Sequence, residues 1–392
     1  MIRYFALLTV TLFLNSCFEE ASPEKDKRAF TRIFDHNDFG KRFKPVDFLE
    51  TSDGGYLILA EYNLNASQFS GIYLLRSDQN GQYLNGIMMD ETLVNPAGNL
   101  MKLGSGYCFF AMDPLTVQAY LIQTNEDLTS ISSLPINGIT YPAAASADNN
   151  YIILLSYDPV NLQTVLSTLN SSGTVTASKA FSIGAGEGVE EPVINHYLRT
   201  GKQFPFFTGK AGNLYYFNGF YNYTFSLVFT DLVQDNPQGI VQGNQDDGGF
   251  QALLPLQGNA FAAARFNFGD NYLLPRINLS ASGITSATDL GGLTFPEIAA
   301  DATVRILRAS INNTNVLVFG SDTRSGQIGL YLYDEATGEL LTTRYEGFAN
   351  PFKLSAIRLS GSGDLLLCGT TYLAGRFPRI FLTKIPQQEL QW

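Results

Sequence analysis

Few side chains in this 392-residue chain are of the types that do covalent or acid–base chemistry, and their spacing does not favour it. His36 and His196 lie far apart, neither has a Ser or Cys placed as a nucleophile, and no Gly-x-Ser-x-Gly elbow occurs. Cys108 and Cys368 each sit inside an apolar run, "YCFFAM" and "LLLCGT", and read as buried structural thiols. They fall in different repeats, so no disulfide is expected between them. Two such thiols and two histidines offer no metal-ligand spacing, so neither a metal nor a cofactor is expected. "GAGEG" (184–188) lacks both a strand-to-helix setting and a following Lys, and reads as a connector rather than a phosphate loop. No spacing marks a pair of carboxylates for glycoside hydrolysis, although folding can bring distant acids together.

The residues suited to binding cluster better. "YYFNGFYNYTF" (215–225) supplies Tyr221 and Tyr223. The long stretch 183–203 before it holds Glu190, Glu191 and His196, and "GNQDDGG" (243–249) after it holds Asp246 and Asp247. Tyrosine rings stack on the apolar faces of sugars or anchor a protein partner. Carboxylates accept hydrogen bonds from sugar hydroxyls or pair with basic residues. These seven residues form a candidate ligand face if the intervening elements bring them to one side.

Those elements repeat. Seven turn-plus-strand units open their strands at Tyr56, Tyr107, Tyr151, Leu214, Ala260, Val316 and Leu365, about every 50 residues. Each is preceded by turn residues such as "SDGG", "SADNN" or "SGSGD", and each is followed by a second apolar run such as "GIYLLRSDQNG". Gly and Asn accept positive φ, so these stretches are hairpin chemistry and most of the aspartates in them are turn residues. Runs such as "YLILA" and "YIILLS" are apolar throughout, as inner strands buried on both faces must be. The period, copy number and hairpin chemistry predict an all-β, seven-bladed β-propeller with four-stranded antiparallel blades. "AFTRIFD" (29–35) has no blade of its own and is expected to serve as the outer strand of blade 7, with the tail "QQELQW" as its competitor for that place. In this fold the connectors between blades and the hairpins between second and third strands share one face, which carries all seven candidate residues. A propeller-type quinone dehydrogenase is disfavoured, because the only tryptophan is Trp392.

The formal charge is −11 and no basic stripe interrupts it, so nucleic acid is not an expected partner. The N-terminus carries Arg3, an apolar run from Phe5 to Leu14 too short to span a bilayer, and then Leu14-Asn15-Ser16-Cys17. This resembles the lipobox of bacterial lipoproteins, which implies a signal peptide over 1–16, a lipidated Cys17 and a solvated tether to residue 28. Glu19 and Glu20 resemble the surface-export signal of Bacteroidetes lipoproteins. The "DGGY…LxxxDxxG" repeat resembles a loose group of propeller repeats common in such chains. The whole then reads as a single propeller domain over 29–392, held to the bacterial outer membrane by lipid. It is expected to face the cell surface, with the periplasmic side as the alternative. The expected role is a binding or scaffold module for an envelope protein complex or a glycan. The rival is an enzyme acting on polysaccharide or glycoconjugate.

Overall fold

The computed structural model describes residues 29–35, 40–65, 67–374 and 376–390. The leader, Cys17, the tether, His36 and Trp392 lie outside them. The described residues fold into four sheets of four strands, one of eight that joins two such units edge to edge, and one of five in which Gly283–Ser286 adds to the outer edge, consistent with seven blades. Blade 1 shows the pattern. Phe43–Glu50 is innermost, followed outward by Tyr56–Asn63, Ser70–Ser77 and Tyr83–Met88, each antiparallel to the one before. Both middle strands are buried almost end to end, which accounts for their unbroken apolar runs, whereas the outer strand faces solvent. The first turn is as the sequence implies. Thr51 O accepts from Gly54 N–H, with Gly54 at φ +82, and Asp53 Oδ1 accepts from Gly55 N–H at 3.0 Å.

The other blades open with inner strands Val94–Leu103, Pro142–Asp148, Phe207–Ala211, Gly248–Pro255, Val304–Ile311 and Phe352–Leu359. Each inner strand touches the next, and that of blade 7 touches that of blade 1, so the ring is closed. The hydrophobic core is divided among the junctions between blades: Leu57, Leu74, Phe109 and Ile122 fill that of blades 1 and 2, and Val318, Leu332, Leu367 and Phe381 that of blades 6 and 7. Side chains also stitch every junction to backbone. Asp47 Oδ2 accepts from Leu100 N–H (3.0 Å), and Asn99, Thr164 and Asn218 donate to the carbonyls of Ala145, Phe220 and Phe250. Gln251 Oε1 accepts from Val304 N–H, Arg305 donates to Ser355 O, and Glu50 accepts from Gly361 N–H.

The last junction closes through the N-terminal segment. Phe30–Phe34 pairs antiparallel with Phe377–Ile385, from Phe30↔Lys384 to Phe34↔Ile380, and so completes blade 7. Pro386 ends the neighbouring strand, and the tail turns away through Gln387–Glu389 to bury Leu390 instead of adding a strand. The described chain thus enters the ring on the face of the Asp53–Gly54 turn, the lower face, where Arg32 Nε donates to Asn80 O. Cys108 in blade 2 and Cys368 in blade 7 are buried free thiols. Burial pushes Cys108 up to about 12 and Cys368 well above the ordinary thiol range.

Candidate functional site

The connector 183–206 departs most from the repeat, and it lies across the upper face. Gly184, Gly186 and Gly188 all take positive φ and let it leave blade 3 sharply. Pro192 then opens the helix Glu191–Tyr197, which buries Val193 and Tyr197. Tyr197 lies 4.6 Å from the Tyr141 ring and donates to Tyr141 O at 2.6 Å, while its own carbonyl accepts from Asn95 Nδ2 at 2.8 Å. Arg199 reaches Glu61 of blade 1. Phe204 sits among Phe206, Phe220 and Phe225 of blade 4, and Lys202 lies 4.7 Å over the Phe266 ring of blade 5. A segment that touches blades 1 to 5 must cross the mouth of the ring. It is a plug.

Most of the expected ligand residues fasten this plug. Tyr223 lays its ring over Gly184, where an added Cβ would meet it at 2.6 Å, and its hydroxyl bonds both N–H and O of Ala185. Tyr221 is half-buried, edge-on to Phe181. Glu190 accepts from the Tyr157 hydroxyl at 3.0 Å. Lys202 pairs with Asp247 and donates to the Asp246 carbonyl. His196 takes a different role from the one the sequence suggested. Its Nδ1 accepts from Phe204 N–H at 3.0 Å and its ring wedges against Phe206. Burial, with the charges of Arg199 and Lys44, holds its pKa well below the usual histidine range, so it is a neutral brace for the turn. Glu191 remains exposed.

Around the plug, the hairpins of four consecutive blades each lift one apolar side chain into solvent. Leu115 is 91% exposed, Val160 87%, Tyr223 55% and Phe268 69%. The first two share a local design, Asp-Pro-apolar-x-apolar. Asp113 accepts from the N–H groups of Leu115 and Thr116, and Asp158 from those of Val160 and Asn161. These turns fold Val117 and Leu162 inward against the core and leave Leu115 and Val160 at the apex. Asn222-Tyr223 and Phe268-Gly269 are two-residue turns with positive φ at both positions. The connectors and hairpins of the same face also carry exposed acids: Glu91, Glu187, Glu191, Asp247 and Asp270.

Clefts are cut into both faces of the ring. One of about 320 Å³ lies on the lower face between blades 1 and 7, and its acids are engaged: Asp53 with Arg76, Asp364 with Lys384. Another, of about 300 Å³, opens between the plug and blade 1 and is bordered by Arg42, Lys44, Asn63 and Gln203. Lys41, Arg42 and Lys44 come from "KRFK" (41–44), a short basic run in an otherwise acidic chain and a local exception to the expected lack of one. Among the described residues, no group of three His, Cys, Asp or Glu is placed to hold a metal ion.

No protein-family model matches this chain, and no curated protein does. Among solved structures it is similar to the β-propeller domain of the Trilobed protease from Pyrococcus furiosus, at 8% identity over 88% of this chain and 95% of that one, with a TM-score of 0.49. It is also similar to an acylaminoacyl peptidase of Pyrococcus horikoshii, at 10% identity over 87% of this chain and 51% of that one, with a TM-score of 0.46. For a quinohemoprotein alcohol dehydrogenase of Pseudomonas putida the values are 10%, 88%, 75% and 0.44. Likenesses this distant assign no activity, and the propeller rests on the strand pairing described above.

Proposed function

We propose that this chain is a lipid-anchored binding module of the bacterial outer membrane, of the Bacteroidetes surface type, that docks a protein partner of the envelope on its upper face. One observation carries the reading: four neighbouring hairpins expose Leu115, Val160, Tyr223 and Phe268 among acids. Tyr223 also fastens the plug, but exposing Leu115, Val160 and Phe268 at turn apices gains the fold nothing, since those turns are set by Asp, Pro and Gly. Spaced apolar anchors within a polar, acidic rim suit a partner surface with apolar sockets and basic residues. A lipid on Cys17 fits this orientation, because the tether would enter at the lower face and leave the upper face turned away from the membrane. Glu190, Asp247 and His196 serve as plug fastenings, which favours binding over catalysis.

Two measurements test the reading. Labelled palmitate should follow the protein, and Cys17→Ala should release it from the membrane fraction; an equal membrane-bound fraction rejects the anchor. The combination Leu115→Asp, Val160→Asp and Phe268→Asp should keep the melting temperature within a few degrees. It should also reduce partner recovery after cross-linking on cells by at least about 30-fold, the loss of roughly 2 kcal/mol expected for hot-spot anchors. Recovery of the same partners at the same yield rejects the docking face.

A further inference from the structure

Two cations meet one carboxylate at the edge of the plug, and two more stand in the same short segment. In a chain of net charge −11, Lys41, Arg42 and Lys44 fall within four residues at the entrance to blade 1, and Arg199 meets them from the plug. Glu61 is the acid that Arg199 and Lys44 face. Its Oε2 accepts from Arg199 Nε at 3.0 Å and from the Ser70 hydroxyl at 3.1 Å and lies 2.9 Å from Arg199 Nη2, and its Oε1 lies 3.3 Å from Lys44 Nζ. Arg199 Nη1 is used on His196 O. Glu61 and Arg199 therefore neutralise each other. Lys44 is largely exposed, Lys41 lies 4.8 Å over the Tyr62 ring, and the Arg42 guanidinium has no carboxylate partner among the described residues. The loop that carries them is fixed in place, because Asn63 Oδ1 accepts from Arg42 N–H at 2.6 Å and Asn63 Nδ2 donates to Gly40 O.

The cleft beside these cations has neutral polar walls. Asn63, Gln68 and Gln203 line it, with the half-buried Phe69 ring as an apolar side. A guanidinium and an ammonium side by side match an oxyanion, the guanidinium in fork geometry. Amide side chains both donate and accept, which suits hydroxyls. An aromatic ring suits the apolar face of a pyranose. We infer that this cleft binds an acidic saccharide unit, with its carboxylate or sulfate on Arg42 and Lys44, its hydroxyls on Asn63, Gln68 and Gln203, and its apolar face on Phe69. The site is separate from the apolar tips of blades 2 to 5, and either can fail without the other.

The test is a titration of the full chain with a galacturonate trisaccharide, a sulfated galactose trisaccharide, a neutral galactose trisaccharide and inorganic sulfate. At least one acidic trisaccharide should bind at least tenfold more tightly than the neutral one, and which of the two binds identifies the oxyanion. Arg42→Ala with Lys44→Ala should weaken that binding at least tenfold, with a small loss of melting temperature because Lys44 also pairs with Glu61. Arg42→Ala alone, which leaves every Glu61 contact in place, should weaken it several-fold. The inference is overturned if neither acidic trisaccharide binds or if the neutral one binds equally. It is also overturned if inorganic sulfate matches the sugar's affinity, or if the variants bind as the parent does.

Discussion

Replacing Arg379 by alanine is expected to cost about 3–5 kcal/mol, because it empties the space of a buried side chain and leaves two carbonyls without their donor. Arg379 is fully buried. Its Nε donates to Asp35 Oδ1 at 2.8 Å, its Nη1 donates to Lys41 O and Pro378 O, and its guanidinium stands between the Phe43 and Phe377 rings. One side chain thus joins the closing strand, blade 7 and the entrance of blade 1. Arg379→Lys should recover little, because an ammonium cannot reproduce the fork that serves three acceptors. Deleting residues 18–35 should lower the melting temperature still further, since it removes Asp35 together with the outer strand and leaves Phe377–Ile385 as an open edge. Denaturant midpoints of the variants measure this; a loss under 1 kcal/mol for Arg379→Ala would show that the ring closes without it.

Glu61→Gln is the second large effect, expected at up to about 3 kcal/mol. Burial pushes the Glu61 carboxyl up, but the charges of Arg199 and Lys44 and the Ser70 hydroxyl outweigh it and hold the pKa at about 2, against 4.5 unperturbed. The folded value lies below the unfolded one. The stabilisation is therefore complete above about pH 4.5 and is lost as pH falls from there through about 2. His196 adds to the acid sensitivity: below its ordinary value of 6.5 the unfolded chain takes up a proton that the buried ring refuses. Parent and Glu61→Gln should differ at neutral pH and converge near pH 2. Amide exchange over 191–206 should speed up in the variant before the blades loosen. Equal exchange in both proteins would mean that the plug is held without this pair.

The ring was legible in the sequence because its determinants are local. Hairpin residues and apolar runs place the second strands of the blades: Tyr56, Tyr151, Leu214, Ala260 and Leu365 are the first residues of theirs, and Tyr107 and Val316 fall within two residues of the start. The outer strand Phe30–Phe34 was legible by elimination, because an orphan alternating segment and a proline-terminated last strand fit each other. The plug was not. Its length marked it as unusual, but its role depends on partners such as Glu61, 138 residues from Arg199, and no local pattern encodes such a pairing. The upper-face tips were half legible: Asp-Pro-Leu and Asp-Pro-Val mark turns, but only the fold shows Leu115 and Val160 outward while Val117 and Leu162 go in. The basic cleft was hidden by averaging, since a net charge of −11 masks three cations within four residues.

The closing strand also sets an order of events during synthesis. Thr31 finds its hydroxyl partner in Thr383, 352 residues later, so the first part of the domain to be made waits for nearly the last. Until then every intermediate is an open arc with an exposed inner edge at one end and an unpaired segment at the other. Loop closure over so long a stretch is slow and comes late. A ribosome stalled anywhere before residue 377 holds a protein that cannot finish, and the cell must keep that arc from joining a second one until the final strand emerges.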